Sequence, residues 1–280
     1  MPSPTCEDRP LVMGILNVTP DSFSDGGRWF ESGQAVMKGR EMVGEGADIV
    51  DVGGESTRPG AEPVSADEEL RRVIPVIEAL AGEVRVSIDT TKEVVAEAAV
   101  GAGASLINDV SASLWPVAAR HGVGWVAMHR KGTPATMQQD PHYEDVVGEV
   151  SALLVERATR AEEAGVAEVW IDPGIGFGKS VGHNLALLAS LDRLVATGYP
   201  VVVGTSRKSF LASLTSPGDR APVPVDQRLP GSLSTATWAM TQGAGMVRVH
   251  DVAATVQAAV LVGRVGFEAT VGADQSEVGA

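Results

Sequence analysis

LVMGILN, residues 11–17, is an apolar run that stops on an amide and opens into a loop of turn-forming residues. The same form returns at 48–53, 85–89, 105–109, 124–129, 169–172, 201–204 and 245–249, each a short stretch rich in Val and Ile with a polar, charged or glycine stop. Seven of the eight stops lead into a loop and a helix-like stretch. Such alternation implies parallel strands joined by crossover helices, and eight units in about 250 residues predict a single closed (β/α)8 barrel. The active site of such a barrel lies at the carboxyl ends of its strands. That rule selects Asn17, Asp89, Asn108, Asp172, the loop 206–209, and Arg248 with His250.

Composition narrows the class. With 280 residues and 44% apolar content the chain can bury one large core, and no predicted strand is left over for a second. We read residues 10–267 as one barrel domain between tails at 1–9 and 268–280 that lack periodicity and are expected to fray. Thirty-six acidic against 22 basic residues give a formal charge of −14, which repels nucleic acid and anionic lipid surfaces. The lone Cys6 offers no disulfide framework or thiolate metal site. No run approaches the ~20 apolar residues of a membrane span, and residues 1–10 do not form a basic, apolar leader. A cytoplasmic location is expected.

The helices show a different period. Leu70, Val73, Ile74, Ile77 and Leu80 recur at helical spacing behind a capping box of Ser65 and Glu68. Thr90 and Glu93 suggest the same box for the next helix, with Val94, Ala98 and Ala102 inward. Val146, Val150, Leu153 and Leu154 mark a long fifth helix; Leu187, Leu188, Leu191 and Leu194 mark a sixth, with Asn184 as its N-cap. Leu233, Ala236 and Met240 lead to a stop at Gly243, and Val252, Val256, Ala259 and Val260 form the last helix. The long connections, 18–32, 55–66, 130–142, 173–183 and 205–230, all follow strands, and loops of that length are usually functional. Four prolines and several charges in 216–230 suggest mobility.

Several strand ends carry recognisable chemistry. Asn17 ends the first run; its amide can donate to a phosphate and lend its carbonyl oxygen to Mg2+. In GGESTRPG, 53–60, Arg58 stands between Thr57 and Pro59, which suits a guanidinium aimed at an anion. Asp89, Asn108 and Asp172 come from separate strands and together match a flat heterocycle bearing an amino group beside a ring N–H. Asp109, next to Asn108 and therefore on the opposite face, and Asp51, in mid-run, are read as local capping groups. GIGFGK, 174–179, fails the spacing of a phosphate loop or dinucleotide fingerprint and is read as a flexible rim presenting Phe177 to a planar ligand. GTSRKSFL, 204–211, gathers basic groups and backbone donors at a helix start. Arg248 and His250, two apart, share one strand face and can both donate to a phosphate. His129 is ambiguous, while His121, His142 and His183 are read as structural, and Arg71 and Arg72 as surface ion pairs.

Taken together, GILNVTPDSFSDGG, DVGGESTRPG, VSIDT, LINDVS, MH followed by KGTPATMQ, DPGIGFGK, GTSRKSFL and RVHDV closely resemble dihydropteroate synthases. The likeness spans about residues 11–262, with the strings in that family's order and separations. It implies a (β/α)8 barrel, usually a homodimer, that joins a pterin pyrophosphate to p-aminobenzoate. By resemblance Asn17 contacts Mg2+ and pyrophosphate, which Arg248 and His250 also bind. Asp89, Asn108, Met128, Asp172, Phe177, Lys208 and Arg248 form the pterin pocket. Phe23, Asp25, Thr57, Arg58, Pro59, Lys208 and Ser209 assemble the p-aminobenzoate site, which sulfonamides also occupy. Asn17, Asp25, Arg58, Lys208, Arg248 and His250 are the expected catalytic group. Arg130, and SASLW at 111–115, depart from the family's usual pattern and bear on rim shape alone. The other readings are a methyltransferase on the same barrel, using a folate and a corrinoid, and a non-catalytic pterin-binding paralogue.

Overall fold

The computed structural model describes residues 9–19, 28–56, 63–133, 136–216 and 221–276, with backbone alone at 28–31 and 266–276. Of the expected tails, 1–9 and 268–280, residues 1–8 and 277–280 lie outside the described residues, as do Phe23, Asp25, Thr57, Arg58 and Pro59, while 268–276 continue the last helix instead of fraying.

Eight strands form one parallel sheet: β1 Leu11–Asn17, β2 Ile49–Gly53, β3 Arg85–Asp89, β4 Leu106–Asp109, β5 Gly124–Met128, β6 Val169–Asp172, β7 Val202–Val203 and β8 Met246–Val249. Their order is β6-β5-β4-β3-β2-β1-β8-β7. One bridge, Ile171 to Val201, with Ile171 N–H donating to Pro200 O at 3.0 Å, brings β6 against β7 and completes the ring. The predicted barrel is therefore the observed one, with β7 shorter than its apolar run suggests.

The helices are α1 Arg28–Gly44, α2 Ala66–Leu80, α3 Glu93–Gly101, α4 Trp115–His121, α5 Val146–Glu163, α6 Val181–Ala189, α7 Leu191–Val195, α8 Ser209–Thr215, α9 Leu229–Thr241 and α10 Val252–Ser276, which continues past residue 267. Strand side chains alternate between two cores. Val12, Leu16, Val50, Val52, Val86, Ile88, Ile107, Ala127, Ile171, Val203 and Val247 face the helices. Met13, Ile49, Leu106, Val126, Trp170, Val202 and Met246 fill the barrel's amino-terminal half as a separate apolar cluster.

Local differences from the sequence reading have specific causes. Ser65 Oγ accepts the Glu68 N–H at 3.3 Å, but Glu68 pairs with Arg71 and Arg72 rather than reaching back, so half the box forms. Thr90 Oγ1 accepts the Lys92 N–H at 3.2 Å, too early in the chain for a box with Glu93. Lys92 caps α3 through its backbone, and the helix is rotated so that Val95, Ala96 and Ala99 are buried while Val94 is 53% exposed. At α6 the cap is Ser180, reciprocated by His183. Asn184 lies inside the helix, and its Oδ1 accepts the Gly176 N–H at 2.7 Å, tying the helix to the loop after β6. The leucine run breaks at Ser190 into α6 and α7. Gly243 ends α9 in the left-handed region, at φ 92°, as expected for a helix stop.

Candidate active site

Strand register aligns the first four strand ends. Asn17 pairs with Gly53, Gly53 with Asp89, and Asp89 with Asn108, so the amides and carboxylate form one row across β1 to β4. Gly53 leaves this row open: a Cβ there would lie 3.5 Å from Asp89 Cβ and 3.8 Å from Asn17 Oδ1. On the other side of the mouth Asp172 is level with Met128. Asp89, Asn108, Met128 and Asp172 are all buried.

Arg248 binds this row together. Its Nε donates to Asp51 Oδ2 at 2.6 Å and its Nη2 to Asp89 Oδ2 at 2.7 Å, while Asn108 Nδ2 donates to the same Asp51 oxygen at 2.9 Å. Asp51 is thus no helix cap. It points into the barrel between Ile49 and Gly53, as the two-residue repeat of β2 requires, and its burial reflects a partner 197 residues away. Asp109 behaves as read: its carboxylate accepts N–H groups of Ser111, Ser113 and Leu114 at 2.8, 2.6 and 2.6 Å. Asp51 Oδ1, Asp89 Oδ1 and Ser87 Oγ are buried without a hydrogen-bond partner among the described residues. Unsatisfied buried acceptors are costly, which marks this wall as prepared for a donor from outside. Burial raises Asp89 to about 7, with Arg248 opposing and Asp51 adding to the rise.

The loop after β6 supplies the opposite wall. Asp172 Oδ1 accepts the Gly174 N–H at 2.7 Å, and the glycines that follow let the backbone press against the end of β5. Gly174 has φ 65°, and a Cβ there would lie 1.8 Å from His129 O. Burial also raises Asp172, opposed by the charges of Lys208, Arg248 and Lys179 and by the Gly174 N–H. Lys208, from the loop after β7, donates to Ile175 O and holds its ammonium 4.7 Å from the centre of the Phe177 ring. Burial lowers Lys208 to about 8 against the pull of Asp172. The aromatic wall and the cation expected from separate segments therefore meet.

Arg207 explains how Lys208 turns inward. At φ 59° it adopts a left-handed conformation, with its N–H on Ser232 Oγ at 2.9 Å, its O accepting Arg228 Nη1 at 2.9 Å, and its guanidinium on Asp251 at 2.5 and 3.1 Å. Ser206 Oγ accepts the His250 N–H at 3.1 Å and meets His250 Nδ1 at 3.0 Å, orienting that imidazole. Ser209 is exposed at the start of α8. Asn17, Asp89, Asn108, Met128, Asp172, Phe177, Lys208, Arg248 and His250 thus all stand at one end of the barrel. Sequence reasoning missed Asp51 and Lys179; for Asp51 the strand alternation carried the signal. Arg207 lies in the selected loop 206–209, but its guanidinium is spent on Asp251. His183 and His121 are structural, His183 in the α6 cap and His121 on Glu97 at 2.9 Å.

Known proteins place this arrangement. A family profile described as pterin binding enzyme matches residues 13–250. The dihydropteroate synthase of Escherichia coli is 46% identical over 276 residues, 96% of this chain and 94% of that protein. Among solved structures, the Xanthomonas albilineans dihydropteroate synthase with 4-aminobenzoic acid superposes with a TM-score of 0.84 at 49% identity, covering 92% of this chain and 94% of that one. The Yersinia pestis dihydropteroate synthase in a sulfonamide drug complex gives 0.84 at 44% identity, with the same coverage. The chain belongs to the dihydropteroate synthase family of pterin-binding enzymes and is a transferase.

Proposed function

We propose that this chain condenses 6-hydroxymethyl-7,8-dihydropterin pyrophosphate with p-aminobenzoate to give 7,8-dihydropteroate and pyrophosphate. The observation that carries the reading is the pairing, in one barrel mouth, of orphaned carboxylate oxygens with a rim of Lys208 and Arg248 beside the His250 imidazole. Asp172, Asp89 and Asn108 match the amino and ring N–H groups of a pterin edge. Phe177 and Met128 pack on its plane.

The reaction breaks the C–O bond between the pterin methylene and the diphosphate and forms a C–N bond to the arylamine, which then loses a proton. Departure of the diphosphate leaves positive charge spread over the pterin. Asp89 and Asp172 offset that charge, and Arg248 and His250 stabilise the anion as it leaves. No side-chain nucleophile is needed. Ser209 and Lys208 are assigned to the p-aminobenzoate site, and the resemblance adds Phe23, Asp25, Thr57, Arg58 and Pro59 to it; the same site would admit sulfonamides.

Mg2+ fits the donor set. Among the described residues no cluster of three or more His, Cys, Asp or Glu could cage a metal, and Asn17 presents a single amide oxygen, 3.8 Å from where a Cβ on Gly53 would stand in the open row of strand ends. One protein oxygen plus phosphate oxygens and water is a common Mg2+ arrangement. Bound there, Mg2+ would supply charge neutralisation to the diphosphate.

Purified protein given both substrates and Mg2+ should release pyrophosphate and form dihydropteroate; pterin binding without release would overturn the reading in favour of a non-catalytic paralogue. A homodimer is part of the proposal, supported by large apolar side chains exposed on the packed pair α9 and α10, with Trp238 at 48% and Leu261 at 64%. Sedimentation at micromolar concentration tests it. A cytoplasmic location also belongs to the proposal: no described helix is long and apolar enough to cross a membrane, and cell fractionation checks the assignment.

A further inference from the structure

The last residue of GIGFGK is a buried lysine with no part in the reaction as derived above. Lys179 is 2% exposed, and its ammonium lies 2.9 Å from His129 Nδ1, 3.1 Å from Phe177 O and 3.4 Å from His129 O. An ammonium has three N–H groups and only donates, so all three are spent. His129 Nδ1 is then the acceptor, and the ring proton of the neutral imidazole sits on Nε2. The neutral ring agrees with its surroundings, since burial and the Lys179 charge push His129 down to about 3.

The three acceptors come from two segments, the end of β5 and the loop after β6. The seam between them is tight. A Cβ on Gly174 would fall 1.8 Å from His129 O, and one on Gly178 2.2 Å from Lys131 O. Tyr143 Oη donates to Gly178 O at 2.9 Å, Gln138 Nε2 to Gly176 O at 2.6 Å, and His129 N–H to Asp172 O at 2.9 Å. Lys179 brings its charge to this seam beside the buried Asp172 carboxylate. The charged groups acting on Asp172 are Lys208, Arg248 and Lys179, and those acting on Lys179 are Asp172 and Lys208.

We propose that Lys179 is a positioning residue for pterin capture: its ammonium fastens the loop after β6 to the end of β5 and supplies a buried positive charge that keeps the Asp172 carboxylate ready for the pterin edge. It touches neither substrate. It acts through Asp172 by charge and through Phe177 by gripping that residue's carbonyl. Burial lowers Lys179 to about 7, with Asp172 opposing and Lys208 adding to the fall, so its ammonium stands beside Asp172 below about pH 7 and is given up above it. This deepens the proposed function and rests on it.

The test compares wild type, Lys179→Met and a His129 pair, using the dihydropterin pyrophosphate without p-aminobenzoate in titration calorimetry from pH 6 to 9, together with steady-state kinetics. In Lys179→Met, pterin Kd should rise about tenfold at pH 6.5, where wild-type Lys179 is charged, and the pH below which binding is lost should move up by about one unit. KM for the pterin should rise more than kcat falls. A role in packing alone would lower the melting temperature and leave that acid limb in place. His129→Gln keeps an acceptor for Lys179 and should bind near the wild-type level; His129→Leu removes it and should weaken binding. The His129 pair decides the matter if Lys179→Met does not fold. An unchanged acid limb and Kd in folded Lys179→Met, or equal behaviour of the two His129 variants, overturns the inference. Failure of wild type to bind the pterin would instead strike the functional reading.

Discussion

The two ends of the barrel interior are built by the same eight strands and by the same alternation of side chains, yet they are opposite materials. At the amino-terminal end Met13, Ile49, Leu106, Val126, Trp170, Val202 and Met246 form a dry plug. That end is sealed by ion pairs, Arg9 on Asp48 at 2.8 Å and Arg85 on Glu168 at 2.6 Å, both of which answer carboxylates with guanidinium forks. Two to four residues further along each strand, the inward positions become Asp51, Ser87, Asp89, Asn108, Asp172 and Arg248. There three carboxylate or hydroxyl oxygens lack partners among the described residues. The plug contributes stability; the mouth costs stability and retains binding potential. A barrel can carry such a mouth because the plug below and the helix layer outside supply the burial that it forgoes.

The sharpest way to break this contrast is Arg248→Met. It leaves Asp51 and Asp89 without their shared cation and should cost about 3–5 kcal/mol in stability, with turnover falling below detection in the folded fraction; denaturant titration and pyrophosphate release read the two effects. A variant that kept both would show that the mouth is not held by this cation. Next, Asp172→Asn keeps shape and removes charge, so pterin affinity should drop roughly a hundredfold while circular dichroism and melting are preserved. Unchanged calorimetric binding would remove Asp172 from the pocket. At the plug, Leu106→Ala should cost about 2–5 kcal/mol and leave kcat per folded molecule as it was, since no plug residue reaches the mouth.

The smallest effect is a pH trend with opposite signs for turnover and for stability. Lys208 is lowered to about 8 from an ordinary value of 10.5. Its ammonium is therefore present below pH 8 and lost above it, so kcat/KM should decline along an alkaline limb centred near 8. Stability should move the other way. Between pH 8 and 10.5 the unfolded lysine still binds a proton that the folded one has released, so unfolding free energy rises through that window from this group. The gain is complete above 10.5 and disappears as pH falls through 8. Lys208→Met should flatten both curves; an alkaline limb that survives in this variant assigns it to another group.

What could be read from the chain follows the same division. Each strand shows as a β-branched run with a polar stop, and both signals are local, so the barrel and its rim residues were accessible before any coordinates. The roles of Asp51 and Lys179 were not. Asp51 lies within an apolar run, and nothing nearby announces that Arg248 and Asn108 will meet it across the barrel. Lys179 closes a glycine-rich loop that looks pliable, and only the contact with His129, fifty residues away, reveals it as a fastener. The buried face of α3 is not legible in the sequence because small and branched apolar residues fill that segment all round, giving no preferred stripe; packing on α2 and α4 chooses it instead. Asn184 has the side chain of a cap but spends it on the neighbouring loop.

The ring of strands has one thin seam. Every neighbouring pair is joined by a ladder except β6 and β7, which share the single bridge at Ile171 and Val201. Amide exchange is governed by the cheapest local opening, so deuterium should enter β7 sooner than any other barrel strand. The two segments that would part carry Phe177 and Lys208, so the same opening would draw the cation away from the ring it covers.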